Sequence, residues 1–434
     1  MDHTEKPEST GPVTNRRRLL LGLGAAGGML AARPALAQDN SGQVADAPTS
    51  DLTQQAQSFL GVHQSGIVTP RPTSGMIATF DVLARNTKDL ERLFRTLTER
   101  IQFLMTGGEV PELDPKLPPS DSGILGPVVA PDNLTITVAL GASLFDDRFG
   151  LAAVKPAHLT RMTAFHNDAL DADLCHGDLS LQFCANGADT NIHALRDIIK
   201  TLPDLLLLRW KQEGSVPSLP VKPGAPHESA RNFLGFRDGS ANPDSKNESE
   251  MNRIVWVGAD AGEPEWAVGG SYQVVRIIRN FVERWDRTPL GEQERIFGRR
   301  KPTGAPFDGA TEADVPNYSA DTEGKVTPLN AHIRLANPRT ATARNNLILR
   351  RPFNYSNGVT KAGQLDQGLL FIAWQADLTE GFIAVQNRLT GEPLEEYIKP
   401  VGGGYFFALP GITDAGDFLG RSLFAAAGLS PSNA

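Results

Sequence analysis

The sequence predicts an α+β protein built from two ferredoxin-like domains whose sheets pack together as a dimeric α+β barrel or sandwich. Segments with the alternation of β-strands and segments with helical spacing follow one another in the order β-α-β-β-α-β. A similar succession of strands and helices returns in the second half of the chain. With 434 residues, of which 40% are hydrophobic and 21% charged, the composition is typical of a soluble globular protein of two or three domains.

The N-terminus has the features of an export signal. Arg16, Arg17 and Arg18 precede a short apolar run rich in Gly and Ala, and a cleavage site of the A-x-A type ends at Ala37. Paired arginines before a weakly hydrophobic segment are typical of twin-arginine signal peptides. We therefore expect residues 1–37 to direct export to the periplasm. Because twin-arginine export carries folded proteins, often with their cofactors, a cofactor is also expected.

Neither the export signal nor any later segment suggests an integral membrane protein. The apolar run near the N-terminus is too short and too rich in glycine to serve as an anchor, since a spanning helix needs about 18 or more apolar residues. No later segment reaches that length. Residues 38–72 are rich in Gln, Ser, Asp, Pro and Gly, so they are interpreted as an extended lead-in to the first domain.

The first predicted domain comprises residues 73–225. It begins with the strand MIATFDVLA, after which Asn86 can cap a helix. Five apolar residues recur at helical spacing in that helix: Leu90, Leu93, Phe94, Leu97 and Ile101. The strands LTITVALG and DLSLQFCAN, the helix NIHALRDIIKTL and the strand LLLLRWKQEG complete the predicted domain.

The second predicted domain comprises residues 226–434. A strand running into a helix is predicted for SYQVVRIIRNFVERWDRTPLGEQERIFG, followed by the strand GLLFIAWQAD, the helix LTEGFIAVQNRLT and the closing strand YFFALPG. Residues 286–330 and 331–360 are interpreted as long inserts. We expect a cofactor site there, because loops on a rigid scaffold commonly carry functional residues.

Charge and cysteine content exclude several classes of function. The formal charge of −8 argues against nucleic acid as the main partner, because phosphate binding requires a basic face. Cys175 and Cys184 cannot supply a cysteine-based zinc or iron–sulfur site, although they could form one disulfide bond. No pair of histidines has the H-x-x-x-H spacing of a zinc metalloprotease.

His332 and Arg350 are candidates for chemistry on the two faces of a haem. A neutral imidazole is a good axial ligand of haem iron. A permanently charged guanidinium can stabilise the negative charge that develops as a peroxide O–O bond breaks. Each residue also has a structural interpretation. A lone histidine is more often a satisfied structural side chain, and Arg350 with Arg351 could be a pair of surface charges.

Asp238 is a candidate acid–base residue. It lies in the segment GFRDG, where the nearby glycines allow a tight turn and a close approach to a flat ligand. A carboxylate held in such a pocket could move a proton between the two oxygens of a peroxide. The alternative is an Asp-Gly turn without a chemical role, which is common.

These segments resemble the dye-decolourising (DyP-type) peroxidase family, in particular its exported deferrochelatase/peroxidase branch. The resemblance covers most of the chain after Gln38, and its motifs are GFRDG with NP close behind, GGSYQVVRIIRN, HIRLANPR, ILRR, GLLFIAWQAD and PVGGGYFFALPG. One departure is Pro352-Phe353 after ILRR, where the family often has Gly or a small polar residue. That departure leaves the shape of the distal pocket open.

The resemblance implies a site for haem b. His332 would be the proximal ligand, and Asp238 and Arg350 would form the distal pair. Arg237 would also contact the cofactor, and Glu396 would be the carboxylate that holds the proximal histidine. The family fold, two ferredoxin-like domains with haem in the C-terminal one, agrees with the order of elements above.

The same resemblance implies a peroxidase that reduces hydrogen peroxide and oxidises organic donors, such as dyes and phenols, by one-electron steps. The alternative within the branch is a role beside an iron-uptake permease, either releasing iron from haem with the tetrapyrrole intact or oxidising ferrous iron. A third alternative is a non-catalytic haem carrier, which would leave the distal Asp and Arg without a role. A homodimer is expected.

Overall fold

The computed structural model describes residues 52–219 and 228–429, and these residues belong to one compact unit. The predicted signal peptide and the first part of the lead-in therefore lie outside the described residues. So does the predicted boundary between the two domains, at residues 225 and 226. Within the described ranges, no helix combines the length and the apolar character needed to cross a membrane.

Nine strands of the described residues belong to one sheet and two form a separate ribbon. In chain order the strands are β1 (Ser74–Val82), β2 (Gly108–Glu109), β3 (Val128–Val129), β4 (Thr135–Gly141), β5 (Leu179–Ala185), β6 (Leu206–Ser215), β7 (Ser271–Asn280), β8 (Leu349–Arg350), β9 (Phe353–Val359), β10 (Leu365–Gln375) and β11 (Ile398–Ala408). Strands β2 and β3 form the separate ribbon.

The α-helices lie mainly between these strands. They are α1 (Thr87–Thr106), α2 (Ala188–Thr201), α3 (Glu248–Ile254), α4 (Val282–Trp285), α5 (Leu290–Phe297), α6 (His332–Ala336), α7 (Ala384–Leu389) and α8 (Arg421–Ala426). Short 3-10 turns occur at Leu52–Gln54, Ala142–Leu144, Ala152–Val154, Ala172–Leu174, Glu265–Ala267, Tyr318–Ala320, Thr342–Asn346 and Pro393–Glu396, and a π-helical turn at Thr379–Ile383 precedes α7.

The strand order confirms the predicted ferredoxin-like halves. The first half has the order β4-β5-β1-β6 and the second half has the equivalent order β11-β7-β10-β9. In each half the first strand of the chain lies between the third and the fourth. Strand β11 pairs with β4 and strand β6 pairs with β9, so the two sheets join at both edges. Together the eight strands close into an α+β barrel.

Each sheet buries both of its faces. Successive residues of a strand point to opposite faces, so Met76 of β1 packs in the core between sheet and helices while Ile77 faces the interior of the barrel. The interior core combines side chains from both halves: Ile77, Ala139, Cys184, Trp210, Val275, Phe353, Ile372, Trp374 and Phe406.

Helix α1 begins as predicted, because the Asn86 side chain accepts a hydrogen bond from the Asp89 amide.

The structure corrects two predictions about the second half and answers one question about the cysteines of the first half. Residues 331–360 are not wholly an insert, because they end in β8 and in β9, which is a core strand of the barrel. The predicted single helix after β7 is two short helices, and Pro289 precedes the second of them. Both cysteines are buried and free, so the disulfide that the sequence left open is not formed.

Candidate functional site

A cavity lies over the outer face of the second sheet. Strands β7, β10 and β11 form its floor, and α6, α7 and the loop that contains Asp238 cover it. Its space free of protein atoms, including the opening to solvent, is about 1790 Å³. The lining includes four of the five predicted site residues, namely Arg237, Asp238, His332 and Arg350. It also includes apolar side chains on the floor, such as Ile278, Leu369 and Phe371.

His332 is held in the cavity by Glu392. The histidine is the first residue of α6, and the Phe297 ring at the end of α5 lies 5.8 Å from its own ring. His332 Nδ1 and Glu392 Oε2 are 2.7 Å apart, and the Glu392 side chain is only 3% exposed. With the Nδ1 proton donated to this carboxylate, the Nε2 lone pair is available to a ligand in the cavity.

The Glu392 carboxylate also changes the acidity of His332. Burial alone lowers the pKa of a histidine, but the charge of Glu392 and its hydrogen bond outweigh burial, so the pKa of His332 is raised. The charges of Arg350 and Asp238 act on the same imidazole. The two predicted faces of the site are therefore close enough to influence each other.

The prediction that Glu396 holds His332 is wrong. The side chain of Glu396 is 60% exposed and lies 3.5 Å from Arg284. A short 3-10 helix, Pro393–Glu396, begins directly after Glu392 and carries Glu396 away from the histidine. Three glutamates occur in the segment GEPLEE, and only the path of this turn decides which one reaches His332, 60 residues earlier in the chain.

Asp238 and Arg350 form an ion pair at the cavity. Arg350 Nη1 donates to Asp238 Oδ1 over 2.8 Å, and the two side chains are 27% and 13% exposed, respectively. Arg350 Nη2 also donates to the Ser240 carbonyl over 3.1 Å. The predicted acid therefore faces a cation, and the two groups can act on one ligand from the same side.

Two asparagines that the sequence analysis missed hold this pair in place. The Asn242 side chain accepts from the Arg350 amide over 2.9 Å and donates to the Arg350 carbonyl over 3.0 Å. The Asn232 side chain accepts from the amides of Leu234 and Phe236 and lies 3.4 Å from Asp238 Oδ2. Both residues are in the segment NFLGFRDGSANP, so an asparagine near each end of it was the available signal.

The two glycines of GFRDG serve different purposes. Gly235 has a φ of +86°, a conformation that side chains disfavour, so it makes the turn. A Cβ added at Gly239 would lie 2.5 Å from the Ser229 Cβ, so this glycine permits a close approach of two chain segments. The prediction that glycines shape the loop around Asp238 is confirmed, although Gly239 is not in the turn conformation.

Arg237 lines the cavity, but its guanidinium is engaged by protein groups. It donates to the Ser229 carbonyl over 2.7 Å and to Glu228 over 2.5 Å. Three further arginines that the sequence analysis did not select also line the cavity, namely Arg276, Arg299 and Arg339. Burial lowers the pKa of Arg299, which donates to two backbone carbonyls. The cavity therefore offers several cationic side chains to an anionic ligand.

Pro352 and Phe353 do not line the cavity. Phe353 begins β9 and packs in the interior core of the barrel, and the Pro352 carbonyl accepts a hydrogen bond from Arg71. The departure from the expected pattern after ILRR therefore lies outside the lining of the cavity beside Arg350.

The chain is similar to known proteins over most of its length. The family model described as Dyp-type peroxidase, N-terminal, matches residues 64–215, and the one described as Dyp-type peroxidase, C-terminal, matches residues 229–413. A deferrochelatase of Yersinia pseudotuberculosis is 55% identical over 427 residues, or 97% of each chain. A deferrochelatase of Escherichia coli is 57% identical over 411 residues, which cover 94% of this chain and 96% of that one.

Solved structures are similar along most of the chain. Ferric DtpA from Streptomyces lividans has 33% identity and a TM-score of 0.76, and the match covers 87% of this chain and 99% of that one. A DyP-type peroxidase from Cellulomonas bogoriensis has 34% identity and a TM-score of 0.75, with 86% and 99% covered.

Proposed function

This chain belongs to the Dyp-type peroxidase family, and we propose that it is a haem b peroxidase whose iron is bound by His332. It reduces hydrogen peroxide with the help of Asp238 and Arg350 and oxidises organic donors such as dyes and phenols. The observation that carries the proposal is one cavity lined by both a carboxylate-bound histidine and an Asp–Arg ion pair.

The lining suits a haem in its chemistry. The imidazole of His332 would hold the iron, and apolar side chains such as Leu369 and Phe371 would pack against the macrocycle. Arg299 and Arg339 would provide positive charge for the propionates of the haem. The bound haem would supply the iron at which peroxide is reduced. A relative with 33% identity, ferric DtpA from Streptomyces lividans, also supports an iron centre.

Asp238 and Arg350 have complementary roles toward peroxide. The Asp238 carboxylate would take up a proton of the peroxide and return it to the departing oxygen. The Arg350 guanidinium stabilises the negative charge that develops as the O–O bond opens. Their 2.8 Å hydrogen bond keeps the carboxylate and the guanidinium oriented toward the same ligand before peroxide arrives.

Glu392 acts on the other side of the cavity. By accepting the Nδ1 proton of His332, the carboxylate increases the basicity of the imidazole and fixes its orientation. With haem bound, this more basic imidazole would favour cleavage of the O–O bond.

An absorption spectrum and three variants test the proposal. Purified protein is expected to show a haem Soret band that shifts when peroxide is added. Asp238→Ala and Arg350→Ala are expected to keep the haem and to slow peroxide reduction by about 100-fold or more, whereas His332→Ala should lose haem. Undiminished peroxide-dependent dye oxidation in both distal variants would refute the assigned roles. Tight haem binding without any spectral response to peroxide would favour a haem carrier.

A second candidate function is the release of iron from haem with the tetrapyrrole left intact. It is favoured by the name deferrochelatase that relatives with 55–57% identity carry. Incubation of the holoprotein with haem, followed by chromatography for free protoporphyrin IX, distinguishes this activity from peroxidase turnover. A ferrous-iron oxidase would instead consume Fe²⁺ without any change in the porphyrin.

We also propose that the protein is exported by the twin-arginine route and forms a homodimer. We further propose that it functions together with an iron-uptake permease. The signal-like composition of residues 1–37 supports export. Replacing Arg16 and Arg17 together by lysine is expected to retain the protein in the cytoplasm, whereas Arg18→Lys alone should not. Light scattering after gel filtration measures the oligomeric state, and co-purification with permease components tests the remaining partner.

A further inference from the structure

Two arginines near the interior of the barrel have no carboxylate partner among the residues that the structure describes. Arg351 is only 6% exposed. Its Nη1 donates to the Thr69 carbonyl, but its Nε and Nη2 are buried without a hydrogen-bond partner. Arg71 donates to the Pro352 carbonyl, and its guanidinium lies 5.7 Å from the centre of the Phe353 ring. Burying a charge without a counter-charge costs free energy of folding, so these two arginines need a negative charge nearby.

No carboxylate of the described residues forms an ion pair with Arg351 or Arg71. Arg350, next to Arg351, points to the cavity and is paired with Asp238, whereas Arg351 points to the opposite face of the sheet. Asp238 acts on Arg71, but its charge is already balanced by Arg350. Cys184 is the ionisable group that acts on Arg351, and burial raises the pKa of its thiol despite both arginines.

Two further groups near Arg351 can donate hydrogen bonds, the thiol of Cys184 and the hydroxyl of Thr135 beside it. The Thr135 hydroxyl is buried, and no group of the described residues lies in good hydrogen-bonding geometry to it. Guanidinium N–H groups, a hydroxyl and a neutral thiol can all donate to one acceptor. The surroundings are also tightly packed, because a Cβ at Gly75 would lie 2.3 Å from the Phe353 ring. The missing acceptor is therefore small and negatively charged.

We propose that the barrel interior holds a small monovalent anion, such as a halide, bound by Arg351 and Arg71. The anion accepts hydrogen bonds from Arg351 Nε and Nη2 and balances the two guanidinium charges. The anion lies behind Asp238 and Arg350, on the face of the sheet opposite the haem cavity. The proposal is independent of the proposed function, because it concerns charges of the barrel interior alone.

Crystals of the holoprotein soaked in bromide provide a direct test. An anomalous peak is expected inside the barrel beside the Arg351 guanidinium, well separated from any peak at the haem iron. If bromide is found only at the iron or on the outer surface, the proposal is wrong. This experiment needs no variant, so it does not depend on the folding of an altered protein.

Thermal unfolding provides a second test with matched variants. At constant ionic strength, replacing gluconate by chloride or bromide is expected to raise the unfolding midpoint of the holoprotein by about 2 °C or more. Arg351→Met and Arg71→Met should lose that increase, whereas Arg196→Met, at an exposed arginine on α2, should keep it. An equal increase in Arg351→Met would contradict the proposal.

Cys184→Ser distinguishes an external anion from a thiolate. If a bound halide balances the arginines, the serine variant should respond to halide as the unaltered protein does. If the unaltered protein shows no halide effect and Cys184→Ser acquires one, the thiolate of Cys184 is the counter-charge and the proposed anion site is wrong.

Discussion

Glu392 determines how His332 faces the cavity, because it is the carboxylate that accepts the Nδ1 proton. Glu392→Gln keeps an acceptor at that position but removes the negative charge. Outer-sphere carboxylates of this kind commonly contribute 10-fold or more to metal affinity, so the variant should bind haem about 10-fold more weakly. Titration of apoprotein with haem measures this change. Glu396→Gln is the matched control, since its exposed carboxylate is far from the imidazole, and equal affinities in the two variants would contradict the role of Glu392.

His176 makes stability depend on pH. Burial, with help from Arg161 and Arg209, lowers the pKa of His176 to about 4 from its ordinary 6.5. The unfolded chain therefore binds this proton more tightly, and the free energy of unfolding should fall as pH drops from about 6.5 toward 4. His176→Asn should weaken this dependence, because Asn cannot take up the proton and tolerates the φ of +64°. Urea unfolding across that pH range measures it, and His166→Asn, at an exposed site, should leave it unchanged.

At the scale of elements, Asn242 helps to fix the backbone of the two-residue strand β8, which presents Arg350 and pairs with β10. The asparagine makes both an accepting and a donating hydrogen bond to residue 350. Asn242→Ala removes both bonds, which together contribute about 1–3 kcal/mol. We expect haem binding to persist, peroxide reduction to slow by about 10-fold, and the Arg350 amide to exchange its hydrogen faster. Asn247→Ala, which removes the cap of α3, should change stability without altering exchange at Arg350.

The elements also explain which predictions from the sequence succeeded. Helix α1 and its Asn86 cap, and the loop around Asp238, follow from residues close together in the chain. Strand β9 was missed because FNYSNGV mixes polar and aromatic residues and is specified by its barrel neighbours. The choice of Glu392 over Glu396, and the inward turn of Arg351, depend on contacts between distant segments, which local sequence patterns do not encode.

At the scale of the whole molecule, closure of the barrel makes each half depend on the other. The inner faces of the two sheets cover one another in a shared core. The halves also meet outside the barrel, where Phe424 of α8 packs against Phe94 of α1. The edges are also shared, because Phe406–Ala408 pair with Ala139–Gly141 and Ser215 pairs with Asn354. The cavity residues on the second half therefore rest on a sheet whose inner face and edges need the first half.

Separate expression of residues 52–219 and 228–429 tests this dependence. Alone, each half would expose an apolar inner face and two unpaired strand edges, so each should aggregate or lack cooperative unfolding. Expressed together, the halves should associate, unfold in a single transition and bind haem through His332. Calorimetry and haem absorbance measure these outcomes, with the uncut chain as the control. If residues 228–429 alone folded cooperatively as a monomer and bound haem, the site would not depend on closure of the barrel, and the first half would need another role.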